Sequence, residues 1–573
     1  MGDKTNTDVG TTVRWAFLAL SLLLSPAREA LELTVSGGTS AQREALAATT
    51  PAARIRSLTD ERALDFWLRR LVSEGPKALQ PFGYYEAQLT IDVTDGAVSV
   101  DLLPGEPVRV TAIDVGFSDP ALSPAKRFPF VPGDVLDHQK YERAKQDFQT
   151  WLLNRGHLNA RLTHAEVRVH RRERRAEIKL RWDPGPPFRI SEVRLSDSPL
   201  DQQFLKRYIN LKSGEVFSQT KLQTLSENLR SSGYFAAVEV VLGEPDSAQA
   251  EVPVEVRLTP RKRSAYQAGL LYATDAGPGV EAGAERRWLN SQGYQGRLQL
   301  ELASRRSLAA ARLDIPSPSD LDRSLAITLN YVDEETDSAD RDTVQLGVSR
   351  LSRLGPWRRV DGLTYLFEDF QVGQEDESVS LLLGSFELSR TAGDTASEVP
   401  RHGWRASAIA QVGAEAVASD TNLARLDVNA KLIMSLGDHY RLLLRGEAGA
   451  LWASEFGQVP ASLRFFAGGD QSVRGFDFEA LGPVDANGDP RGGRYLGVAS
   501  AEIDGPLRGK FRWAAFVDAG NAFGPGADDV AYAAGLGVRW LTPIGPLRLD
   551  LAYPLSDEED DGLRLHFTAG PDL

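Results

Sequence analysis

The segment Gly468-Gly-Asp-Gln-Ser-Val-Arg-Gly-Phe476 places one arginine among three glycines, in a region that otherwise alternates apolar and polar residues. Glycine turns tightly at little steric cost, so Gly468, Gly469 and Gly475 could carry Arg474 into a recess. The planar guanidinium binds carboxylates through paired hydrogen bonds and stays charged at any physiological pH. These residue types favour an ion-pairing site, although a solvated loop with Arg474 in water remains open on this segment alone.

No group of residues in the sequence points to catalysis. The sequence has seven histidines and no cysteine. It lacks Gly-x-Ser-x-Gly, His-Glu-x-x-His and a phosphate-binding loop, and neither His439 nor His566 has an evident serine partner. The stretch Asp485-Ala-Asn-Gly-Asp-Pro490 offers oxygen ligands but lacks the rest of a calcium loop, so it predicts a turn. We expect no enzyme activity, no cofactor and no metal site.

The chain that must position Arg474 is long and acidic. Its 573 residues exceed one ordinary domain, and its formal charge of -14 would repel the phosphates of nucleic acid, which we exclude as a partner. The only long apolar run extends from Trp15 to Leu24, behind Arg14. It is too short to cross a bilayer of about 30 Å as a helix, and it predicts a cleaved secretory signal over residues 1–27.

Three segments share one pattern, at Gly83-Tyr-Tyr85, Gly156-His-Leu158 and Gly233-Tyr-Phe235. Each follows an amphipathic helix that its glycine is suited to end, and each precedes strands with period-two alternation. A Pro-Gly turn closes the first two, at Pro104-Gly105 and Pro184-Gly185. The pattern predicts an α+β unit of strand, helices, strand and strand that occurs three times.

Residues 261–573 alternate apolar and polar side chains without a helical pattern, as in Leu298, Leu300 and Leu302. Alternation fits both a soluble sandwich and a transmembrane barrel, whose apolar face meets lipid. The predicted signal, the length of strand without a boundary and the charges of both signs on the polar face favour the barrel. Roughly 20 residues per strand with its connection predict about sixteen strands.

Residues 463–476, with the letters LRFFAGGDQSVRGF, closely resemble the signature of the BamA/TamA outer-membrane assembly superfamily. Other stretches resemble its TamA branch, among them Trp288-Leu-Asn-Ser-Gln-Gly293, Phe516-Val-Asp-Ala-Gly520 and Gly535-Leu-Gly-Val-Arg-Trp540. The repeats resemble POTRA domains, the periplasmic modules of such proteins. The resemblance covers nearly the whole mature chain. The chain ends on Leu573 and not on the aromatic residue common in barrel proteins, a feature that TamA proteins share and that therefore agrees with the resemblance.

The resemblance implies α+β periplasmic repeats, three POTRA domains, followed by a transmembrane antiparallel β-barrel of about 16 strands. The implied bounds are 28–105, 106–185 and 186–260 for the POTRA domains and 261–573 for the barrel. The expected location is the bacterial outer membrane, with the POTRA domains in the periplasm.

For the glycine-rich segment the resemblance implies an ionic latch. The loop tip, formed by Arg474, Gly475 and Phe476, would fold back into the barrel, where Arg474 meets Glu502 and Asp518. Both acidic residues occupy polar positions of alternating strands, which agrees with an inward orientation. The flexible part of the loop would be Gly468, Gly469 and Asp470.

The resemblance also implies a weak seam between the first and last barrel strands. Parting them would expose a strand edge inside the bilayer, where unpaired backbone groups are costly, and an incoming chain could satisfy it. The seam candidates are Gly269, Leu271, Gly562 and Phe567.

The implied function is an outer-membrane assembly factor that inserts or translocates autotransporters and other barrel proteins. Its implied partners are a TamB-like protein anchored in the inner membrane, unfolded clients and outer-membrane lipid. Phospholipid transport with the same partner is an alternative, as is a passive porin or receptor with periplasmic docking domains.

Overall fold

The computed structural model describes residues 32–49, 61–94, 97–119, 122, 128–273, 276–336, 338–394, 397, 399–485, 488, 491–524, 529–542, 545–556, 562–570 and 572. The predicted signal, residues 1–27, lies outside these ranges. No helix within them is both long and apolar enough for a membrane span. The chain divides into two compact units, one of residues 1–193, 211–223 and 242–254, the other of residues 194–210, 224–241 and 255–573.

The first repeat is a three-stranded sheet covered by helices. Its elements are β1 (Glu32–Gly37), α1 (Ser40–Thr49), α2 (Glu61–Glu74), a 3-10 helix (Pro76–Phe82), β2 (Gln88–Thr94) and β3 (Ala97–Leu103). The central strand β3 runs parallel to β1 and antiparallel to β2. Trp67 and Leu71 of α2 pack with Val98 and Val100 of β3, so the predicted apolar face of the helix covers the sheet.

The second repeat has the same order of strands, with one helix after its first strand among the described residues. Its elements are β4 (Arg109–Phe117), α3 (His138–Leu153), β5 (Arg161–His170) and β6 (Arg175–Asp183). The central strand β6 is parallel to β4 and antiparallel to β5. Helix α3 begins where the Asp137 carboxylate accepts a hydrogen bond from the Lys140 backbone N–H at 2.9 Å, which satisfies one donor of its first turn.

The third repeat consists of β7 (Arg189–Leu195), α4 (Gln202–Leu205), α5 (Gln219–Ser231), β8 (Phe235–Leu242) and β9 (Glu251–Pro260). Its sheet order is β7-β9-β8, so the last strand is again central. Leu225 and Leu229 of α5 are fully buried. The predicted α+β pattern is therefore present in all three repeats. The residue bounds predicted for the three domains stay predictions.

The glycines that begin the Gly-aromatic or Gly-His pattern of the first two repeats permit close contact with the start of the following repeat. Gly83 and Gly156 adopt left-handed backbone angles, with φ of 89° and 88°. The Gly83 carbonyl accepts a hydrogen bond from Val108 N at 2.8 Å, and the Gly156 carbonyl accepts one from Phe188 N at 2.7 Å. A Cβ atom on Gly156 would lie only 2.7 Å from the Phe188 carbonyl oxygen, so a larger residue would separate the two segments.

The C-terminal part of the chain forms one antiparallel sheet of sixteen strands, in which each strand pairs with its sequence neighbours. The strands are β10 (Ser264–Ala273), β11 (Gly277–Arg286), β12 (Gln295–Ala303), β13 (Arg306–Pro316), β14 (Ser324–Glu335), β15 (Asp340–Leu354), β16 (Trp357–Val372), β17 (Glu375–Gly393), β18 (Gly403–Gly413), β19 (Leu423–Leu436), β20 (Tyr440–Ala453), β21 (Tyr495–Arg508), β22 (Phe511–Phe523), β23 (Ala531–Thr542), β24 (Gly545–Pro554) and β25 (Arg564–Ala569). The predicted number of about sixteen strands is confirmed.

One face of this sheet exposes apolar side chains. Leu298, Leu300 and Leu302 of β12 are 58%, 53% and 61% exposed, and Leu325 to Tyr331 of β14 repeat the pattern. The other face buries charged residues instead, among them Glu368, Asp504, Asp518, Arg539 and Asp550. A soluble sandwich would bury the leucines, whereas a barrel in lipid presents them to acyl chains. The exposed leucines therefore fit the barrel.

Residues 454–494, which we call the inner loop, connect β20 to β21 and contact distant strands. Ser462 N donates to Glu368 of β16 at 3.0 Å, and Arg474 pairs with Asp518 of β22 at 2.8 Å. Because β16 and β22 are six strands apart in the sheet order, the sheet curves around the inner loop as a barrel wall. Apolar loop residues pack against the wall and fill this part of the interior, including Val459, Leu463, Phe465 and Val473.

Candidate functional site

The glycine-rich segment of the inner loop is a compact turn. Gly468, Gly469 and Gly475 have φ of 103°, 91° and 96°, a region that other residues rarely adopt. A Cβ atom on Gly468 would lie 2.3 Å from the Asp477 carbonyl oxygen. Gly469 N donates to Phe476 O at 3.1 Å and closes the turn. The glycines therefore allow the fold of the tip, and the flexibility predicted for Gly468, Gly469 and Asp470 stays a prediction.

Arg474 lies in the barrel interior against both acidic residues that the resemblance implied. Its Nε and Nη2 atoms donate to the two carboxylate oxygens of Asp518 at 2.8 and 2.9 Å, and Nη1 donates to Glu502 Oε2 at 2.9 Å. The Arg474 backbone N–H also donates to Asp518, at 3.1 Å. Only 6% of Arg474 is exposed, so water screens these bonds weakly. We call Arg474, Glu502 and Asp518 the latch.

Sequence reasoning missed four residues that complete this site. Arg474 Nη1 also donates to Asp550 at 3.1 Å, and Nη2 donates to Ser500 Oγ at 3.1 Å. Arg539 binds Glu502 through Nε at 3.1 Å and Nη2 at 2.8 Å. The Arg474 guanidinium lies 3.4 Å from the centre of the Phe516 ring. Asp550 had a signal, since it alternates with Leu549 and Leu551, but alternation does not say which residues of different strands lie level.

Two glycines of β23 leave room for these large side chains. A Cβ atom on Gly537 would lie 1.8 Å from Asp550 Oδ1 and 2.6 Å from Arg539 Nη1. A Cβ atom on Gly535 would lie 2.3 Å from the Phe516 ring. The absence of side chains at Gly535 and Gly537 therefore leaves space for the ion pairs of Arg539 and Asp550 and for the Phe516 ring that contacts Arg474.

The loop tip also holds the last strand. Gly475 N donates to His566 Nε2 at 2.9 Å, and Arg564 donates to Gly475 O and binds Asp477 at 3.1 Å. The other ring nitrogen of His566, Nδ1, meets Asp470. Because Nε2 accepts a backbone hydrogen bond, His566 has no free lone pair there for base catalysis. The position of His566 therefore indicates a structural role, in which it ties strand β25 to the loop tip.

Phe476, the third residue of the predicted tip, is 5% exposed and packs in the apolar cluster of the inner loop. Its ring therefore anchors the tip to the barrel interior beside the ionic contacts of Arg474.

A second buried ionic cluster holds the chain after β25. Asp572 accepts from Arg441 of β20 at 2.9 Å and from Arg548 of β24 at 2.6 Å. Arg441 also binds Asp504 of β21, through Nε at 3.0 Å. No sequence pattern links these residues, because only the fold brings positions 441, 504 and 572 together.

The four seam candidates lie at or beside the first and last strands. Gly269 and Leu271 of β10 pair with Glu281 and Gly279 of β11. Phe567 pairs with Leu549 of β24, and Gly562 precedes β25. Six residue pairs join β25 to β24, and no ladder joins β25 to β10 among the described residues. Whether the seam opens stays a prediction.

The chemistry of the site is electrostatic. Its carboxylates and guanidinium groups bind one another, and the described ranges contain no group of three or more His, Asp or Glu residues that could hold a metal ion. The predicted turn at 485–490 falls largely outside the described ranges. The latch can fix the inner loop to β21 and β22, and its contacts extend through Asp550 to β24.

A barrel of sixteen strands, an inner loop held by a buried arginine and preceding α+β repeats define the class of protein. Residues 289–572 match the Omp85 superfamily domain, and residues 188–261 match the POTRA family, described as a surface antigen variable number repeat. The chain thus carries an Omp85 superfamily domain behind a POTRA domain. The match to the POTRA family falls on the third repeat.

Curated relatives and a solved structure agree with this class. The chain is 26% identical over 375 residues to the outer membrane protein assembly factor BamA of Nitratidesulfovibrio vulgaris, covering 62% of this chain and 47% of the relative. It is 30% identical over 176 residues to BamA of Neisseria meningitidis, covering 24% and 22%. The chain therefore spans less than half the length of either relative.

The fold is similar to the crystal structure of BamA from Haemophilus ducreyi lacking POTRA domains 1–3. The TM-score is 0.66 at 17% identity, over 81% of this chain and 99% of that one. This likeness supports the barrel architecture described above.

Proposed function

We propose that this protein is an outer-membrane assembly factor that helps to insert or translocate autotransporters and other barrel proteins. The exposed apolar belt of the barrel would lie in the outer membrane, with the repeats in the periplasm. The names of the BamA relatives support this proposal. We further propose that the first two repeats are POTRA domains like the third, that the protein belongs to the TamA branch, and that it catalyses no reaction.

The observation that carries the proposal is the limited pairing of the last strand. Six residue pairs join β25 to β24, whereas fifteen join β16 to β17. Leu270 of β10 and Leu565 of β25 are 90% and 59% exposed, so both strands present apolar side chains to lipid. An edge that parts inside a bilayer seeks hydrogen-bond partners, and an unfolded client strand supplies them. We propose that clients enter here.

The inner loop, which packs in part of the barrel interior, argues against the passive porin. Side chains of the inner loop pack with Phe370, Leu381 and Leu383 of the wall, and Arg464 binds Glu375 of β17 at 2.7 Å. A porin keeps an aqueous channel through its barrel. The packed loop therefore favours an assembly role over free diffusion of solutes.

The repeats would serve as docking modules for an inner-membrane-anchored, TamB-like partner. Strands β2 and β5 lie at edges of their sheets. An extended partner segment can add to such an edge through backbone hydrogen bonds. The edge strands support the proposed partner without naming which repeat binds it.

Reconstitution tests the proposed function. The purified protein is placed in liposomes with a labelled, urea-unfolded barrel client, and protease protection of the client is followed in time. Faster protection than in empty liposomes is expected. Unchanged protection kinetics together with a large, steady single-channel conductance in planar bilayers would favour the porin instead.

A further inference from the structure

An arginine and two tryptophans lie together on the outer wall, away from the latch. Successive strands alternate in direction, so β16 and β18 begin at the same rim as β10, where the chain enters from β9. Trp357 opens β16, and Trp404 lies at the start of β18. Arg390 of β17 lies over both indoles, with its Cζ 6.0 Å from the ring centre of Trp357 and 5.2 Å from that of Trp404.

All three side chains belong to the lipid-facing side. Side chains of a strand alternate with a period of two, so residues an even number apart share a face. Arg390 shares its face with Phe386, Trp357 with Leu363, and Trp404 with Val412; these three partners are 37%, 53% and 58% exposed. The cluster therefore borders the apolar belt at its rim.

The charge of Arg390 has no acidic partner within the described parts of the chain, and its side chain donates no hydrogen bond there. Arg359, on the same face of β16, differs. Its Nε and Nη2 donate to Asp361 at 3.0 and 2.7 Å. Arg390 instead uses the flat faces of the tryptophans, which leaves the N–H groups at the edge of its guanidinium available for an anion.

We propose that Arg390, Trp357 and Trp404 bind the phosphate group of a membrane phospholipid in the leaflet at this rim. Tryptophan concentrates at the level of lipid headgroups, and a guanidinium binds phosphate oxygens through two parallel hydrogen bonds. The phosphate would neutralise the cation, while the acyl chains would lie on the leucines of the belt. The site goes beyond the proposed function and needs only that the barrel lies in a bilayer.

Native mass spectrometry of the full chain in detergent, titrated with phosphatidylglycerol, tests the site. The wild type is expected to retain one tightly bound lipid, and Arg390→Gln is expected to bind it about fivefold more weakly, since one basic residue contributes on this scale. Arg390→Lys keeps the charge without the planar fork and should fall between them. The matched control is Arg359→Gln, which removes a paired arginine from the same face and should leave lipid binding unchanged.

Two further ligands test whether the site needs both the phosphate and the acyl chains. Diacylglycerol lacks the phosphate and inorganic phosphate lacks the acyl chains, so neither should remain bound to the protein in the mass spectrometer. Equal affinity in Arg390→Gln, an equal loss in Arg359→Gln, or retention of either of these ligands alone would overturn the proposal. Should Arg390→Gln fail to fold, Trp404→Leu serves instead: weaker lipid binding supports the site and wild-type binding rejects it.

Discussion

At the scale of the residue, the barrel interior is organised around two guanidinium groups and three carboxylates. Arg474 and Arg539 both bind Glu502 and Asp550, and Arg474 alone binds Asp518. Charges removed from water are stable only when each has a partner, so these five side chains depend on one another. The latch therefore acts as a unit with Arg539 and Asp550, and a change at one of the five side chains affects the others.

Arg474→Ala is expected to destabilise the barrel by roughly 3–5 kcal/mol, since it leaves three buried carboxylates beside one guanidinium. The temperature at which the folded band disappears in a heat-modifiability gel measures the loss. Client insertion should slow in parallel, while the helical circular dichroism of the repeats stays unchanged. Arg474→Lys should lose nearly as much, because an ammonium cannot bind Asp518 with two parallel bonds. Wild-type heat stability in Arg474→Ala would contradict the latch.

Gly537→Ala tests whether the site needs the space above β23. The new Cβ would lie 1.8 Å from Asp550 Oδ1, so Asp550 and Arg539 must move apart. We expect a loss of about 1–3 kcal/mol, as for other overpacked interiors, measured by the same gel. Gly446→Ala in β20 is the matched control, because its Cβ would meet nothing closer than 3.8 Å. Equal effects of the two substitutions would argue against a steric role for Gly537.

At the scale of the element, helix periodicity and alternation predicted the three α+β repeats and the strands of the C-terminal sheet, whereas the choice of a barrel of about sixteen strands also needed the predicted signal, the uninterrupted length of strand and the charges of both signs. The two patterns worked because each helix buries one face and each barrel strand separates lipid from interior. The register between strands, which decides which residues of neighbouring strands lie side by side, was not predictable in this way. Asp550 and Arg539 lie beside Arg474 only because of the register between β22, β23 and β24, and Asp572 reaches Arg441 across 131 positions of sequence.

The contact between Tyr85, after the first repeated glycine, and His138, which opens α3, predicts a dependence on pH. The Tyr85 hydroxyl lies 2.7 Å from His138 Nε2, and burial lowers the pKa of His138 despite the nearby Asp137 and Glu142 carboxylates. A histidine whose pKa falls on folding stabilises the fold above its unfolded pKa of about 6.5, and this contribution is lost as pH falls through the lower folded value.

We therefore expect the helices to melt at a lower temperature at pH 5.5 than at pH 7.5, followed by circular dichroism at 222 nm. This signal reports on the repeats, since the longer helices α1, α2, α3 and α5 all belong to them. His138→Gln should lose less stability over the same interval. An equal loss in the variant would assign the effect to other groups.

At the scale of the whole molecule, the two edges of the barrel sheet differ in how they are held. The last strand is bound from inside, through His566 and Arg564 to the loop tip, and the chain after it through Asp572 to β20 and β24. The first strand has its ladder with β11. The inner loop therefore carries the arginine of the latch and also holds the last strand. A substitution that loosens the inner loop should loosen β25 as well.

A covalent bridge across the seam tests whether client insertion needs the two edges to part. The chain has no cysteine, so Leu270→Cys and Leu565→Cys, both on the lipid-facing side, would be the only thiols for a bismaleimide to join in the folded protein. Since a bridged edge cannot accept a client strand, insertion into liposomes should slow at least tenfold. The control joins Leu329→Cys to Leu346→Cys, which face lipid on the paired strands β14 and β15 and should leave insertion unchanged. Full activity of the bridged seam would show that clients enter without parting β10 from β25.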